Sequence, residues 1–212
     1  MIKVQKIVVN PLPENMYVLS DETGECIFVD PGCYYPEEQE AVKNYVEEHR
    51  LNPVKIVNTH CHFDHIFGVE FLRKEYEIPF LAHQEDAFLI NGAAEQAKMF
   101  GFSIDPIGTI DAFIDEQDLV RFGNSTLQVF HVPGHSPGHV VFYSEPDGFL
   151  IAGDVLFHGS IGRTDLPGGD YQTLVAGIKE KLLPLPGKTT VYCGHGPETN
   201  IGFEKENNPF LC

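Results

Sequence analysis

The sequence predicts an α+β protein in which two mixed β-sheets pack face to face with helices on their outer sides. Three observations carry that expectation. Short β-rich runs precede helical patterns in both halves of the chain. The hydrophobic period switches between about 2 and about 3.6 residues at boundaries marked by Pro, Gly or Asp. No linker, low-complexity segment or sequence repeat divides the 212 residues. One domain over residues 1–212 is the expected organisation. At this length roughly 70 to 75% of the extended chain's surface is buried on folding, so the fold needs neither disulfides nor a structural metal.

The elements follow in order. Lys3 to Val9, Met16 to Ser20 and Glu25 to Val29 are β-rich runs separated by Pro and Gly, and they read as an opening antiparallel sheet. Between Glu37 and Arg50 the residues Ala41, Val42, Tyr45 and Val46 share one helical face opposite Glu38, Glu40, Lys43, Glu47 and Glu48, the pattern of a surface helix on a sheet. Val54 to Val57 is the next strand, and Ile66 to Tyr76 carries a second helical pattern. The stretch from Gln84 to Phe102 reads as one or two helices, with a break expected at Asn91-Gly92. Strand character returns in Leu127 to Val132, His139 to Tyr143 and Phe149 to Ala152. Asp170 is placed to cap a helix whose apolar face is Tyr171, Leu174, Val175, Ile178 and Leu182, ended by Pro184 and Pro186. Thr189 to Cys193 is the last strand, and Ile201 to Asn207 is expected to close the chain as a helix.

Composition excludes several classes. The formal net charge of -17, from 14 Lys+Arg against 31 Asp+Glu, repels the phosphates of nucleic acids and anionic lipids. Five cysteines, Cys26, Cys33, Cys61, Cys193 and Cys212, form no C-x-x-C pair and are odd in number, which fits a reducing interior better than a disulfide scaffold. The opening segment is broken by Asn10, Pro11 and Pro13, and no apolar run approaches the length of a membrane span. A cytoplasmic protein acting on a small molecule, without nucleic-acid or membrane partners, is the expectation.

The chemistry concentrates in Asn58-Thr59-His60-Cys61-His62-Phe63-Asp64-His65, an H-x-H-x-D-H run between a strand and a helix. Positions i and i+2 of an extended segment point to one side, so His60 and His62 converge while Cys61 and Phe63 face the other way, which makes Cys61 a packing residue before a ligand. Asp64 and His65 fall where the chain turns into the helix and aim at a second position. Imidazole nitrogen and carboxylate oxygen are the donors a borderline divalent ion accepts. Three further loops place a donor just after an apolar strand: Pro133-Gly134-His135-Ser136-Pro137-Gly138-His139, Gly153-Asp154, and Gly194-His195-Gly196. Loops at strand ends are where clefts open.

These motifs, together with AGDVLFHGSIGRTDLPGGD, CGHGPET and the ending EKENNPF, resemble the metallo-β-lactamase fold superfamily, and most closely its short glyoxalase II-like (hydroxyacylglutathione hydrolase-like) branch. The resemblance covers nearly the whole chain. It implies a four-layer αββα sandwich with metals at one edge of the sheets. It also implies one metal held by His60, His62 and His135, a second held by Asp64, His65 and His195, and Asp154 bridging them. The expected cofactors are two divalent transition-metal ions, zinc first, with iron or manganese as alternatives. The implied activity is hydrolysis of a thioester by a metal-bound hydroxide that Asp64 holds in line. A thiolate leaves with a conjugate pKa of about 8.5 and needs little help from an acid.

His158 and Arg163, in the loop after Asp154, are candidate substrate contacts, with pairing to Asp165 or capping of a turn an equal expectation for Arg163. His83 and His139 read as structural, Cys33 and Cys193 as buried small hydrophobes, and His49 as a surface residue. Long glyoxalase II enzymes continue into a helical domain that helps bind glutathione, whereas this sequence ends at Cys212, which leaves the thiol carrier open. The nearest rival is a mononuclear iron oxygenase similar to the persulfide dioxygenases, using His60, His135 and Asp154. A lactonase or β-lactamase of the same fold and a non-hydrolytic redox or metal-binding module are further alternatives. RNase Z shares the ligands but not the charge that an RNA substrate requires.

Overall fold

The chain opens as a hairpin of β1 (Lys3–Val9) and β2 (Glu14–Ser20), paired antiparallel from Lys3 with Ser20 to Val9 with Glu14. A computed structural model describes residues 1–211. The turn begins at Asn10, whose φ of +51° lies in the left-handed region that Asn tolerates better than most side chains. β3 (Glu25–Val29) adds antiparallel to β2. α1 (Pro36–Glu48) then crosses over to β4 (Asn52–Val57), which lies parallel to β3. Pro36 sits at the first position of α1, and the Glu38 carboxylate reaches back to accept the Tyr35 and Tyr34 N–H groups at 3.0 and 2.7 Å.

After a 3₁₀ turn at Phe63–His65, α2 (Val69–Tyr76) leads to the short parallel strand β5 (Phe80–Ala82). α3 (Ala87–Met99) follows, and β6 (Ala112–Phe113) completes a six-stranded sheet ordered β1-β2-β3-β4-β5-β6. The second half builds β7 (Leu119–Phe122), β8 (Ser125–His131), β9 (Val140–Ser144) and β10 (Phe149–Gly153) as an antiparallel meander. The small ribbon β11 (Leu156–Phe157) and β12 (Ser160–Ile161) precedes α4 (Tyr171–Gly177). β13 (Thr190–Cys193) pairs parallel to β10, and β14 (Thr199–Asn200) leads into α5 (Ile201–Asn207). The second sheet is ordered β14-β13-β10-β9-β8-β7.

Three apolar layers hold the four structural layers together. Tyr17, Leu19, Ile27 and Val29 of the first sheet meet Leu127, Val129, Phe142 and Ile151 of the second in the central layer. The opposite face of the first sheet, with Met16, Val18, Phe28 and Ile56, packs on Val42 and Val46 of α1, Leu72 of α2 and Ala93 and Ala97 of α3. The outer face of the second sheet, with Val141, Leu150 and Val191, packs on Leu174 of α4 and on Ile178 and Leu182. Each of these large side chains, when fully buried, contributes roughly 1.5 to 3 kcal/mol of transfer free energy. Strand alternation is what presents a separate apolar face to each layer. The αββα sandwich expected from the sequence is therefore the observed fold. Among the described residues no helix is long and apolar enough to cross a membrane.

The structure differs from the sequence expectation in three places. α3 is unbroken through Asn91-Gly92, because Leu89, Ile90, Ala93 and Ala97 all bury on one face. That burial outweighs the roughly 1 kcal/mol that an interior Gly costs a helix. α2 begins at Val69 rather than Ile66, since the ligand-bearing loop uses Phe63–His65 in a 3₁₀ turn. Tyr171 is 49% exposed and stands outside the apolar face of α4, which continues as a short π-helical turn over Ile178–Leu182. The strands β5, β6, β7, β11, β12 and β14 are two to four residues long and carry too little periodicity to be read in advance.

Candidate metal centre

Four loops reach one edge of the sandwich, each from the end of a strand. The loop after β4 carries His60, His62, Asp64 and His65, and its shape is held by hydrogen bonds rather than by repetitive structure. Asn58 Nδ2 donates to the carbonyls of His60 and His65 at 3.1 and 2.9 Å, closing the loop on itself. The Thr59 N–H and hydroxyl donate to Asp30 at 2.7 and 2.6 Å, and Asn10 Nδ2 donates to the Asp64 carbonyl at 3.0 Å. Cys61 and Phe63 turn into the apolar layer beneath, as the alternation required.

The loop after β8 delivers His135, and the end of β10 delivers Asp154. Buried Asp86 ties the first two loops together. Its carboxylate accepts the Cys61 N–H at 3.0 Å, the Ser136 hydroxyl at 2.8 Å and the Gly138 N–H at 2.7 Å. Gly153 has φ +51°, and a Cβ there would run into Thr59 Oγ1 and the His139 ring. Gly153→Ala is therefore expected to shift Asp154 and weaken metal binding about 10- to 100-fold, measured by competition with a chromogenic chelator. Wild-type affinity in that variant would show that the close approach has no consequence. The loop after β13 brings His195, fixed by its bridge to Glu14 and by the Asn15 side chain, which donates to the carbonyls of Cys193 and Gly196 at 2.9 Å each.

The side chains converge in two groups. His60, His62 and His135 form one, Asp64, His65 and His195 the other, each with its candidate donor atoms within 4.8 Å of one another. His62 Nδ1 lies 2.9 Å from His135 Nε2. Asp154 stands between the groups: Oδ2 is 3.6 Å from both His135 Nε2 and His195 Nε2, and Oδ1 is 3.6 Å from His65 Nε2. Asp64 Oδ2 is 3.4 Å from His195 Nε2 and 3.8 Å from His65 Nε2. Donors bound to one tetrahedral ion at about 2.1 Å stand about 3.4 Å apart, so these spacings match ligands around shared ions better than direct hydrogen bonds.

The residues fit a metal on a second count. His60 Nε2, His65 Nε2 and Asp154 Oδ1 are buried and have no hydrogen-bond partner in the protein. An unsatisfied buried polar atom costs about 1 to 3 kcal/mol, so three together call for a shared acceptor of lone pairs. The other ring nitrogens of four of the five histidines have partners, while His62 Nε2 is buried without one. His135 Nδ1 faces the Arg163 carbonyl at 2.8 Å, His195 Nδ1 the Pro13 carbonyl at 3.2 Å, His60 Nδ1 the Thr59 hydroxyl at 3.1 Å and His65 Nδ1 the Asp30 carboxylate at 3.3 Å. Such outer partners fix each ring so that its free nitrogen points inward.

Electrostatics favour the ligating forms of His60, His62, Asp64 and Asp154. Burial lowers His65 and His195, but the carboxylates Asp154 and Asp64 outweigh it and raise both. Burial, with the neighbouring imidazoles, holds His60 well below the usual histidine range and brings His62 down to about 3, so both present neutral rings. Burial pushes the Asp154 carboxyl up, but His65, His195 and His135 outweigh it and keep the group ionised. Asp64 follows the same balance: burial raises it, and His65 and His195 bring it below the usual carboxylate range. Glu14, fully buried behind His65 at 3.7 Å, is pushed well above the usual range by burial first.

The remaining sequence candidates divide. Arg163 lines the cleft, which has a volume of about 310 Å³, but its guanidinium is held by Asp165 through two bonds of 2.7 Å. His158 is exposed, stacks on Phe203 at 4.6 Å and is not among the residues lining the cleft. His139 stacks on His60, and its Nε2 accepts the Asp154 N–H at 3.0 Å, so it orients the centre from outside. His83 stacks on His131. Cys33 and Cys193 are buried among apolar side chains. Sequence reading missed Asp30, Asp86 and Glu14. The Val29-Asp30-Pro31-Gly32 strand end was a legible signal for Asp30, whereas nothing local marks Asp86 or Glu14.

An αββα sandwich thus carries a composite histidine and carboxylate centre at one edge of its sheets. The chain belongs to the metallo-β-lactamase superfamily, whose family model matches residues 9–195 and whose members are typically metal-dependent hydrolases. The hydroxyacylglutathione hydrolase GloC of Haemophilus influenzae is 35% identical over 217 residues, spanning 99% of this chain and 98% of GloC. The crystal structure of the BLEG-1 B3 metallo-β-lactamase is 39% identical with a TM-score of 0.90, covering 100% of this chain and 99% of that one. The di-iron-bound form of TTHA1623 is also 39% identical, with a TM-score of 0.88 over 98% of this chain and 100% of its own.

Proposed function

We propose that the chain is a two-metal hydrolase of thioesters, a single domain acting on a small molecule. The observation that carries the reading is Asp154, whose Oδ2 lies 3.6 Å from His135 of one group and His195 of the other, and whose Oδ1 lies 3.6 Å from His65. The likeness to GloC supports the thioester, and the likeness to a di-iron protein supports the pair of ions. His60, His62 and His135 would hold one ion, Asp64, His65 and His195 the other, with Asp154 shared. When bound, the pair would supply a water acidified toward neutrality and a Lewis acid for the carbonyl.

The chain's own residues do the rest. Asp64, ionised and lining the cleft, accepts a hydrogen bond from the attacking water and keeps it aligned. The water oxygen bonds to the thioester carbon, the C–S bond breaks, and the products are a carboxylic acid and a thiol. No Lys or Tyr lines the cleft, and Arg163 is engaged by Asp165, so among the described residues the cleft offers no spare acid. A thiolate leaving group, with a conjugate pKa of about 8.5, is the one that needs none. The donor set accepts zinc, iron or manganese.

Metal quantification followed by a screen over thioesters, lactones, β-lactams and persulfides tests the reading. The expected result is about two ions per chain and turnover of at least one thioester. Metal-replete protein inert toward every thioester would sink it. The β-lactam arm addresses a second reading, which the BLEG-1 likeness favours. A single iron per chain with oxygen uptake on a persulfide would instead support the mononuclear oxygenase.

A further inference from the structure

The metal cleft does not end at the metal ligands. A second cavity of about 420 Å³ runs along α3 toward the segment 166–167, and Gln96, Phe100 and Leu166 line both spaces. The groove is apolar, with Phe88, Leu89, Met99 and Pro167 among its walls. Phe88 is 45%, Phe100 52% and Met99 85% exposed, so large hydrophobic side chains are held in solvent beside the reactive centre. Apolar side chains clustered at the mouth of a polar site mark binding surface more often than chance exposure does.

Charge narrows the occupant. Arg163 is the one cation among the residues lining the two cavities, and Asp165 holds it in two bonds. Glu95 is the carboxylate on the groove wall, and the protein carries a net charge of -17. A carboxylate-bearing thiol such as glutathione finds no free guanidinium or ammonium here, and a nucleotide-bearing carrier finds less.

We infer that this groove seats an uncharged apolar arm of the substrate, which makes the substrate class a thioester with a medium-length aliphatic or aromatic chain. The inference rests on the thioester reading for the bond that is cut, and on the shape and charge of the groove for the arm. α3 supplies the floor, Met99 and Phe88 the outer walls, and Phe100 the step down to the metals.

Two substrate series and one binding measurement test it. Metal-loaded protein is assayed on acyl-N-acetylcysteamine thioesters from acetyl to decanoyl, and on acetyl thioesters of ethanethiol to octanethiol. In one series kcat/KM is expected to rise about two- to fourfold per added methylene until the groove is filled. Met99→Glu, at a position exposed enough to leave the fold intact, is expected to flatten that rise. Separately, the neutral, non-hydrolysable thioether N-acetyl-S-octylcysteamine is titrated into metal-free protein labelled with ¹³C at the methionine methyl groups. The sequence has three methionines. The Met99 methyl is expected to shift saturably, while Met1 and the core residue Met16 stay in place.

Turnover without chain-length dependence in either series, together with an unmoved Met99 signal, overturns the groove while leaving thioester hydrolysis standing. A shifted Met99 with no thioester hydrolysed upholds the groove and removes the reaction. Preference for a glutathione thioester by more than about tenfold over the neutral series, about 1.4 kcal/mol, overturns the charge argument. A Met99 shift that appears with protein concentration alone assigns the groove to a second copy of the chain and overturns the substrate assignment.

Discussion

Asp154→Ala is expected to lower kcat/KM by at least about a thousandfold, about 4 kcal/mol of transition-state stabilisation, and to abolish metal occupancy. The carboxylate faces both histidine groups at 3.6 Å, so its removal takes one donor from each at once. It also takes from the buried imidazole of His65 the carboxylate that leads the groups raising it, since burial alone would keep that ring neutral. Asp154→Asn separates charge from shape. It keeps a side chain of the same size, and the backbone N–H still reaches His139 Nε2 at 3.0 Å, so the fold should persist while metal content falls. Metal quantification by plasma mass spectrometry and steady-state kinetics on the same preparations check both. Retention of both ions in the Ala variant would show that the bridge is misassigned.

Asp86→Ala is expected to cost about 3 to 5 kcal/mol of stability, a fall in Tm of roughly 10 °C for a chain of this size. The carboxylate is buried and accepts three hydrogen bonds, from Cys61 N–H, Ser136 Oγ and Gly138 N–H. Alanine strands three buried donors rather than one. Because those donors belong to the loops that carry His60, His62 and His135, metal affinity should fall about 10- to 100-fold as well. A role confined to stability would not move the second readout. Cobalt substitution makes it visible: the d–d spectrum reports the ligand geometry directly, and Asp86→Asn, which retains an acceptor oxygen, should recover part of both losses. Unchanged cobalt affinity alongside a lowered Tm would reduce Asp86 to a scaffold residue.

Much of the site was legible because its donors are packed into short motifs. The alternation in His60-Cys61-His62-Phe63 says which residues face the metal and which face the core, and the structure buries Cys61 and Phe63 accordingly. The same rule does not reach Asp86 or Glu14. Asp86 acts from between β5 and α3 on loops 25 and more than 50 residues away in sequence, and no local pattern records such a pairing. Glu14 reads as the start of a strand, and its importance comes from lying behind His65 and bridging to His195 across the two halves of the chain. The expected break at Asn91-Gly92 failed for a related reason. A local Gly penalty of about 1 kcal/mol is visible in the sequence, whereas the burial of Leu89, Ile90, Ala93 and Ala97 that overrides it depends on the sheet beneath.

The layer architecture and the donor atoms of the metal centre were legible from short-range patterns alone. Hydrophobic period sets which faces are buried, and residue type sets which atoms can hold a metal, and both are local properties. The arrangement and surroundings of those atoms come from packing between distant segments. It placed Asp154 between two groups contributed by loops from both halves, turned His158 away onto Phe203, tied Arg163 to Asp165, and opened an apolar groove along α3. Those outcomes depend on distances between residues far apart in the chain, which the packing of the two sheets fixes and no short-range pattern encodes.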